Sequence, residues 1–224
     1  MTVPPLPPLP PILPIADPAA VARAAEAIRR EALIAYPTDT VYGVGGNALS
    51  PEAARRVRTV KGREAGKGFP VLLAAAGDVD RLASEWPAPA AALAERFWPG
   101  ALTIVVPARA GLPDDVCSGD TIALRVPGLA PLRAVIRAGG VPLIGTSANR
   151  SGQPAALTAA AAARALGGSV ELVLAGGAVG GQPSTVVAVR GGSVRILRAG
   201  AVGESDLAAA LAPLGVGLEP FGPT

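Results

Sequence analysis

Twice early in the chain a residue able to cap a helix stands directly before proline, at Asp17-Pro18 and at Ser50-Pro51. The side-chain oxygen of Asp or Ser accepts a bond from a free amide of the first turn. Proline suits the first helical position because its missing N–H would be unpaired there anyway. Each pair opens a helix, through about Glu31 and about Val60, and a short apolar run follows each, "ALIAYP" and "FPVLLAA". The alternation continues with a helix in "APAAALAERFW", stopped by Pro99-Gly100, and with the β-rich runs "ALTIVVP", "TIALRVP" and "VPLIGTS". An alanine-rich helix from about Thr158 leads to "VELVLAG". "STVVAVR" and "VRILRAG" flank Gly191-Gly192 as a hairpin, and a short helix spans about Glu204 to Leu211 before Pro213. Helical crossovers and a hairpin in one chain imply a mixed sheet. The expectation is a single α/β domain over residues 15–215, a twisted mixed sheet flanked by helices. A proline-rich tail of polyproline II character precedes it (1–14), and a short C-terminal tail follows (216–224). With 224 residues, half of them apolar, the chain can bury one substantial core.

Histidine is absent. That removes Ser-His-Asp and Cys-His catalysis, His-ligated zinc and imidazole acid–base chemistry together. The groups left for chemistry are Arg, Lys, Ser, Thr, Asn and the backbone, which are those of phosphate and carboxylate handling. Cys117 stands alone, which excludes an internal disulfide and fits a reducing compartment, so the expected location is the cytoplasm. No apolar run is long enough to span a bilayer, and the N-terminus lacks the basic start and cleavage site of a signal peptide. A net charge of only +3 does not describe a protein that coats nucleic acid.

Both lysines of the chain, Lys61 and Lys67, flank Arg63 in "RTVKGREAGKGFP". This loop is not a P-loop: it has one residue too few between its glycines, and Gly68 stands where a magnesium-binding Ser or Thr is required. Nor is "GVGGNA" a dinucleotide fingerprint, because Ser50-Pro51 starts the next helix too late to meet a pyrophosphate. Lys61, Arg63 and Lys67 can converge on one polyanion, or they can be solvated cations at a helix C-terminus; spacing alone leaves both open. "PLIGTSANRSGQP" gathers Thr146, Ser147, Asn149, Arg150 and Ser151 after a buried strand, and "YPTDTVYG" sets Thr38, Asp39 and Thr40 at a strand end. Such turns offer donors to a ligand or satisfy themselves.

Taken in order, "YPTDTVYGVGG", "KGREAGKG", "FWPGALTIVV", "TIALRVPG", "PLIGTSANRSGQP", "PSTVV" and "ILRAGAV" resemble the YrdC-like family of threonylcarbamoyl-AMP synthases, over about residues 18–202. The Lys-x-Arg and Ser-x-Asn pairs are the specific marks. The resemblance implies a YrdC-like fold with a basic concave cleft. It also implies an ATP-dependent nucleotidyltransferase that makes threonylcarbamoyl-AMP from L-threonine and bicarbonate, with magnesium on the nucleotide and release of pyrophosphate. A partner transferase would then carry the threonylcarbamoyl group to tRNA. By position, Thr40, Arg125 and Ser184 become threonine contacts. Arg63, Lys67, Thr121, Ser147 and Arg198 become ATP contacts, with Gly145 and Ala155 lining the nucleotide site through their backbones. Lys61 and Asn149 complete the signature pairs, and Lys61 and Arg63 are the expected catalytic cations. No acidic cluster identifies protein ligands for magnesium. Many relatives carry a histidine near the position of Leu72, which this chain lacks. Some carry a second C-terminal domain, for which too few residues remain after Gly200. Two other readings compete: a relative that forms a carbamoyl-adenylate, and an RNA-binding module of the same fold. Few aromatic residues argue against the second.

Overall fold

The strands divide between two mixed sheets rather than joining in one. The computed structural model describes residues 9–63, 66–177 and 179–219. The first eight residues of the expected N-terminal tail and residues 220–224 of the C-terminal one lie outside them. In chain order the elements are β1 (Ile12–Pro14), α1 (Pro18–Arg29), β2 (Ile34–Tyr36), β3 (Gly43–Gly45), α2 (Pro51–Lys61), β4 (Val71–Leu72), α3 (Ala88–Phe97), β5 (Leu102–Pro107), β6 (Cys117–Ser118), β7 (Thr121–Arg125), α4 (Ala130–Gly139), β8 (Leu143–Ile144), β9 (Thr146–Ser147), α5 (Ala159–Leu166), β10 (Leu172–Ala175), β11 (Thr185–Arg190), β12 (Ser193–Arg198), α6 (Glu204–Leu211) and β13 (Leu218–Glu219). The smaller sheet runs β1-β10-β2-β3-β9 and the larger β13-β12-β11-β5-β7-β4-β8, with β6 paired to β7.

Local signals account for most of the helices. Asp17 caps α1 by accepting from the Ala19 amide (2.9 Å), Ser50 caps α2 through Ala53 (3.1 Å), and Thr158 caps α5 through Ala161 (3.2 Å). β2 is buried on both sides: Leu33 and Ala35 face the larger core, while Ile34 and Tyr36 face a second core under α1 and α4. The hairpin of β11 and β12 forms around Gly191-Gly192 as expected.

Five elements have no counterpart in the sequence pattern: α4, β1, β3, β6 and β13. β1 pairs in parallel with β10, from Ile12 on Val173 to Pro14 on Ala175, so the end of the proline-rich segment is a sheet strand and not a free tail. β13 likewise pairs with β12 through Leu218 and Glu219, inside the expected C-terminal tail.

The run "VPLIGTS" is not one strand. It leaves the larger sheet as β8 and enters the smaller as β9, with Gly145 between them. Backbone bonds tie it to both sides: Ile144 donates to Gly46 O (2.9 Å), Gly145 to Pro70 O (2.7 Å) and Ala148 to Tyr42 O (2.8 Å). The fully buried Tyr36 hydroxyl donates to Ile144 O at 2.5 Å. A Cβ on Gly45 would lie 1.8 Å from Ile144 O, and one on Gly145 2.7 Å from Leu72 Cγ. These glycines let the two sheets approach, which is a steric reason for a glycine-rich stretch that carries no dinucleotide motif.

Candidate active site

Where the run crosses between sheets, residues of both line a cavity of about 620 Å³. Gly43 and Ser147 come from the smaller sheet; Leu72, Thr103, Ala123, Arg125, Val186 and Arg198 come from the larger. Four of its lining side chains, Lys61, Arg63, Arg125 and Arg198, are cationic, and no Asp or Glu is among the described residues that line it. The fold gathers Thr40, Gly145, Ser147, Asn149, Ala155 and Ser184 there with them. Lys67 and Thr121 it does not bring in. Thr121 shares a β7 face with Ala123 and Arg125, but its hydroxyl donates to Ser118 O (2.8 Å). Exposed Lys67 precedes Gly68, whose amide is held by Ser118 Oγ (2.9 Å).

The two signature pairs turn out to be one network. Lys61 is only 5% exposed, and its ammonium donates to Ser147 O and Asn149 O, both at 2.7 Å, and to Asn149 Oδ1. Ser147 Oγ donates to Asn149 Oδ1 (2.6 Å), and Asn149 Nδ2 donates to Gln153 O. The Lys61 carbonyl in turn accepts from the Ser151 amide (3.0 Å). An ammonium has three protons, and these three acceptors, with Ser147 Oγ farther off at 3.3 Å, take them all. Lys61 is therefore a clamp on the 147–151 turn. Burial first, and then the neighbouring Arg63, pull its pKa down to about 8, so it keeps its charge at neutral pH.

Arg63 has the opposite arrangement. Gly62 ends α2 in the left-handed conformation (φ 60°), satisfying Arg58 O and Thr59 O, so the helix-cap reading of this loop is also correct. Beyond the cap, where its amide still donates to Arg58 O (3.3 Å), the Arg63 side chain reaches the cavity with no hydrogen bond to any described residue. Burial and then Arg58 hold its pKa below the usual guanidinium range. A planar fork with unspent donors in a cationic cavity can take a phosphate edge-on.

Across the cavity two arginines share the other end. Arg125, 6% exposed, donates from Nε to Gly100 O (2.8 Å), from Nη1 to Thr40 Oγ1 (3.2 Å) and from Nη2 to Asp39 Oδ1 (2.7 Å). A guanidinium has five N–H donors, so two remain. Thr38 spends its proton on Val41 O (2.7 Å), so in the 2.9 Å Thr38–Thr40 contact Thr40 is the donor, and Thr40 accepts from Arg125. Arg198 holds Ser184 O through Nη2 (2.8 Å) and Nε (3.2 Å), and Ser184 Oγ contacts Thr103 Oγ1 at 2.9 Å. Burial, and then the charge of Arg125, lower the pKa of Arg198. A guanidinium whose charge burial and a neighbouring cation disfavour gains from an anion bound beside it. Thr103 and Asp39 complete this end. Both stood in stretches already quoted, "YPTDTVYG" and "FWPGALTIVV", but as a residue Thr103 carries no mark that separates it from a strand-forming threonine. Leu72 lines the cavity beneath Gly145 and presents only carbon there.

Comparison with known proteins shows the family. The family model of Sua5, YciO and YrdC proteins, described as "Telomere recombination", matches residues 26–200. The chain is 34% identical over 199 residues to the threonylcarbamoyl-AMP synthase of Bacillus subtilis, covering 88% of this chain and 58% of that protein. It is 39% identical over 166 residues to the one from Pyrococcus abyssi, covering 73% of this chain and 49% of that protein. The chain thus spans about half the length of these curated relatives. The crystal structure of P. abyssi Sua5 complexed with L-threonine superposes with a TM-score of 0.87 at 32% identity, covering 93% of this chain and 62% of that one.

Proposed function

The chain belongs to the Sua5–YciO–YrdC family, and from that premise we propose that it makes threonylcarbamoyl-AMP from L-threonine, bicarbonate and ATP, releasing pyrophosphate. The observation that carries the reading is the cavity itself: among the described residues that line it stand four cations and no carboxylate, and the guanidinium of Arg63 is bonded to none of them. Threonine's amine and bicarbonate give an N-carboxylate and water. A carboxylate oxygen attacks the α-phosphorus, the P–O bond to the β-phosphate breaks, and pyrophosphate leaves. No protein nucleophile is consumed, so alignment and charge neutralisation are the protein's contribution, and the absence of histidine costs nothing.

In this reading Arg125, Thr40 and Ser184 form the amino-acid end, with Arg198, expected as an ATP contact, bonded to Ser184 beside them; a relative's complex with L-threonine supports that substrate. Arg63 meets the phosphates at the other end. Lys61 and Asn149 act through the turn they hold and not by contact. Among the described residues no group of three or more His, Cys, Asp or Glu converges. We therefore treat magnesium as part of the nucleotide substrate and derive no step through a protein-held metal. The product, a mixed anhydride, suits handover to a transferase acting on tRNA in the cytoplasm. No helix among the described residues is long and apolar enough to cross a membrane.

The test is product analysis. Purified protein with ATP, magnesium, L-threonine and bicarbonate forms a labile threonylcarbamoyl-adenylate and pyrophosphate without tRNA, and omitting threonine or inorganic carbon abolishes both. A folded protein that binds RNA tightly and salt-sensitively, yet forms no threonine-dependent adenylate, would overturn the proposal.

A further inference from the structure

The side chains of Lys61, Arg125 and Arg198 are each fixed by hydrogen bonds, whereas the Arg63 guanidinium has none to a described residue. An arginine left to itself samples many rotamers, and ordering it on a ligand costs entropy. Arg63 nevertheless has a support. Its Cζ lies 5.2 Å from the centroid of the Phe69 ring. Phe69 is fully buried within the larger core, and its amide donates to Asp115 O (2.8 Å), while its neighbours Gly68 and Pro70 line the cavity. The same ring carries a second cation, Arg58, at 6.0 Å, and Arg58 is ion-paired with Asp115.

We infer that Phe69 is a positioning residue: its ring is a rigid shelf that holds the Arg63 guanidinium at the cavity, with Arg58, anchored on Asp115, occupying the rest of the aromatic surface. A guanidinium attracted through its flat face to a ring keeps its N–H donors in its own plane, free for the oxygens of a phosphate. Arg58 completes the device by repulsion, because its charge disfavours Arg63 folding back toward α2. The ligand class is a nucleotide polyphosphate, and the inference rests on the function proposed above.

Phe69→Leu tests it, since leucine fills much of the same core volume without a π face. By the usual strength of cation–π contacts, ATP affinity falls between about two- and thirtyfold. Inorganic pyrophosphate, used as a probe that needs no threonine chemistry, weakens in parallel, and threonine affinity is unchanged. In an Arg63→Ala background Phe69→Leu makes no further difference to ATP binding, because the shelf then supports nothing. A folded Phe69→Leu protein that binds ATP and pyrophosphate as the parent does would overturn the inference. So would an equal loss in the Arg63→Ala background, which would mean that Phe69 acts through the fold. Should Phe69→Leu fail to fold, the unaltered protein still decides: Arg63 side-chain protons are shifted upfield by the ring in its NMR spectrum and move on adding pyrophosphate, and unshifted protons refute the shelf. A parent protein that binds pyrophosphate and ATP but makes no adenylate leaves the shelf standing and removes only the proposed reaction. One that binds neither removes both.

Discussion

Lys61→Met is the sharpest test of how the site is built, because it removes the ammonium and keeps the stem. Two backbone bonds of 2.7 Å, to Ser147 O and Asn149 O, are lost, along with the contact to Asn149 Oδ1. Charge-assisted bonds contribute about 1.5–3 kcal/mol each. Against that stands the relief of burying a charge: an ammonium pulled from 10.5 to about 8 carries a penalty of roughly 3 kcal/mol. The balance is a net destabilisation of about 1–3 kcal/mol at pH 7, read as a lower urea midpoint. Its pH dependence has a definite sign. The folded pKa lies below the unfolded one, so between about pH 8 and 10.5 the unfolded chain holds a proton that the folded chain has released, and stability rises with pH. The methionine variant lacks this rise, so the gap between the two proteins widens across that window. ATP affinity falls as well, since the 147–151 turn loosens. Equal midpoints at pH 7 and a gap that does not change with pH would refute the clamp.

Arg125→Ala weakens threonine binding by about tenfold or more, since a buried charged fork and its bonds to Gly100, Thr40 and Asp39 are lost together; ATP affinity, measured by calorimetry in parallel, changes far less. Deleting residues 1–14 lowers the melting temperature by several degrees, about 1–2 kcal/mol, because β1 leaves the edge of the smaller sheet and the buried Ile15 becomes a charged chain end; an unchanged melting curve would show that this strand adds nothing.

What could be read from the sequence was what local chemistry writes. The caps of α1, α2 and α5 lie within three residues of the amides they satisfy, and the hairpin announces itself by paired glycines. α4 escaped because Pro131 in its first turn stands without a capping side chain: Leu129 at its N-cap makes no side-chain bond, and the helix is set by burying Leu132, Val135 and Ile136 against α1. β1 and the split between the sheets escaped for the same reason. A partner as remote as Val173 for Ile12, or a strand that changes sheets at Gly145, leaves no periodic trace.

The same limit governs the site. Motifs located nearly every residue of the cavity but could not divide the work among them. Lys61 and Arg63 are two residues apart, and both are cations in one glycine-rich loop. Yet Lys61 spends its charge on carbonyls 86 and 88 positions away, while Arg63 spends none. Which cation is structural and which is free to meet an anion depends on where the 147–151 turn lands, and that is decided by the crossing of β8 and β9 at Gly145. The consequence for this chain is directional. Substitutions at Lys61, Asn149 or Gly145 should alter stability and ligand affinity together, because they move the turn. Substitutions at Arg63 should alter affinity with little change in stability, because its guanidinium has no hydrogen bond to a described residue and only the contact with the Phe69 ring to lose.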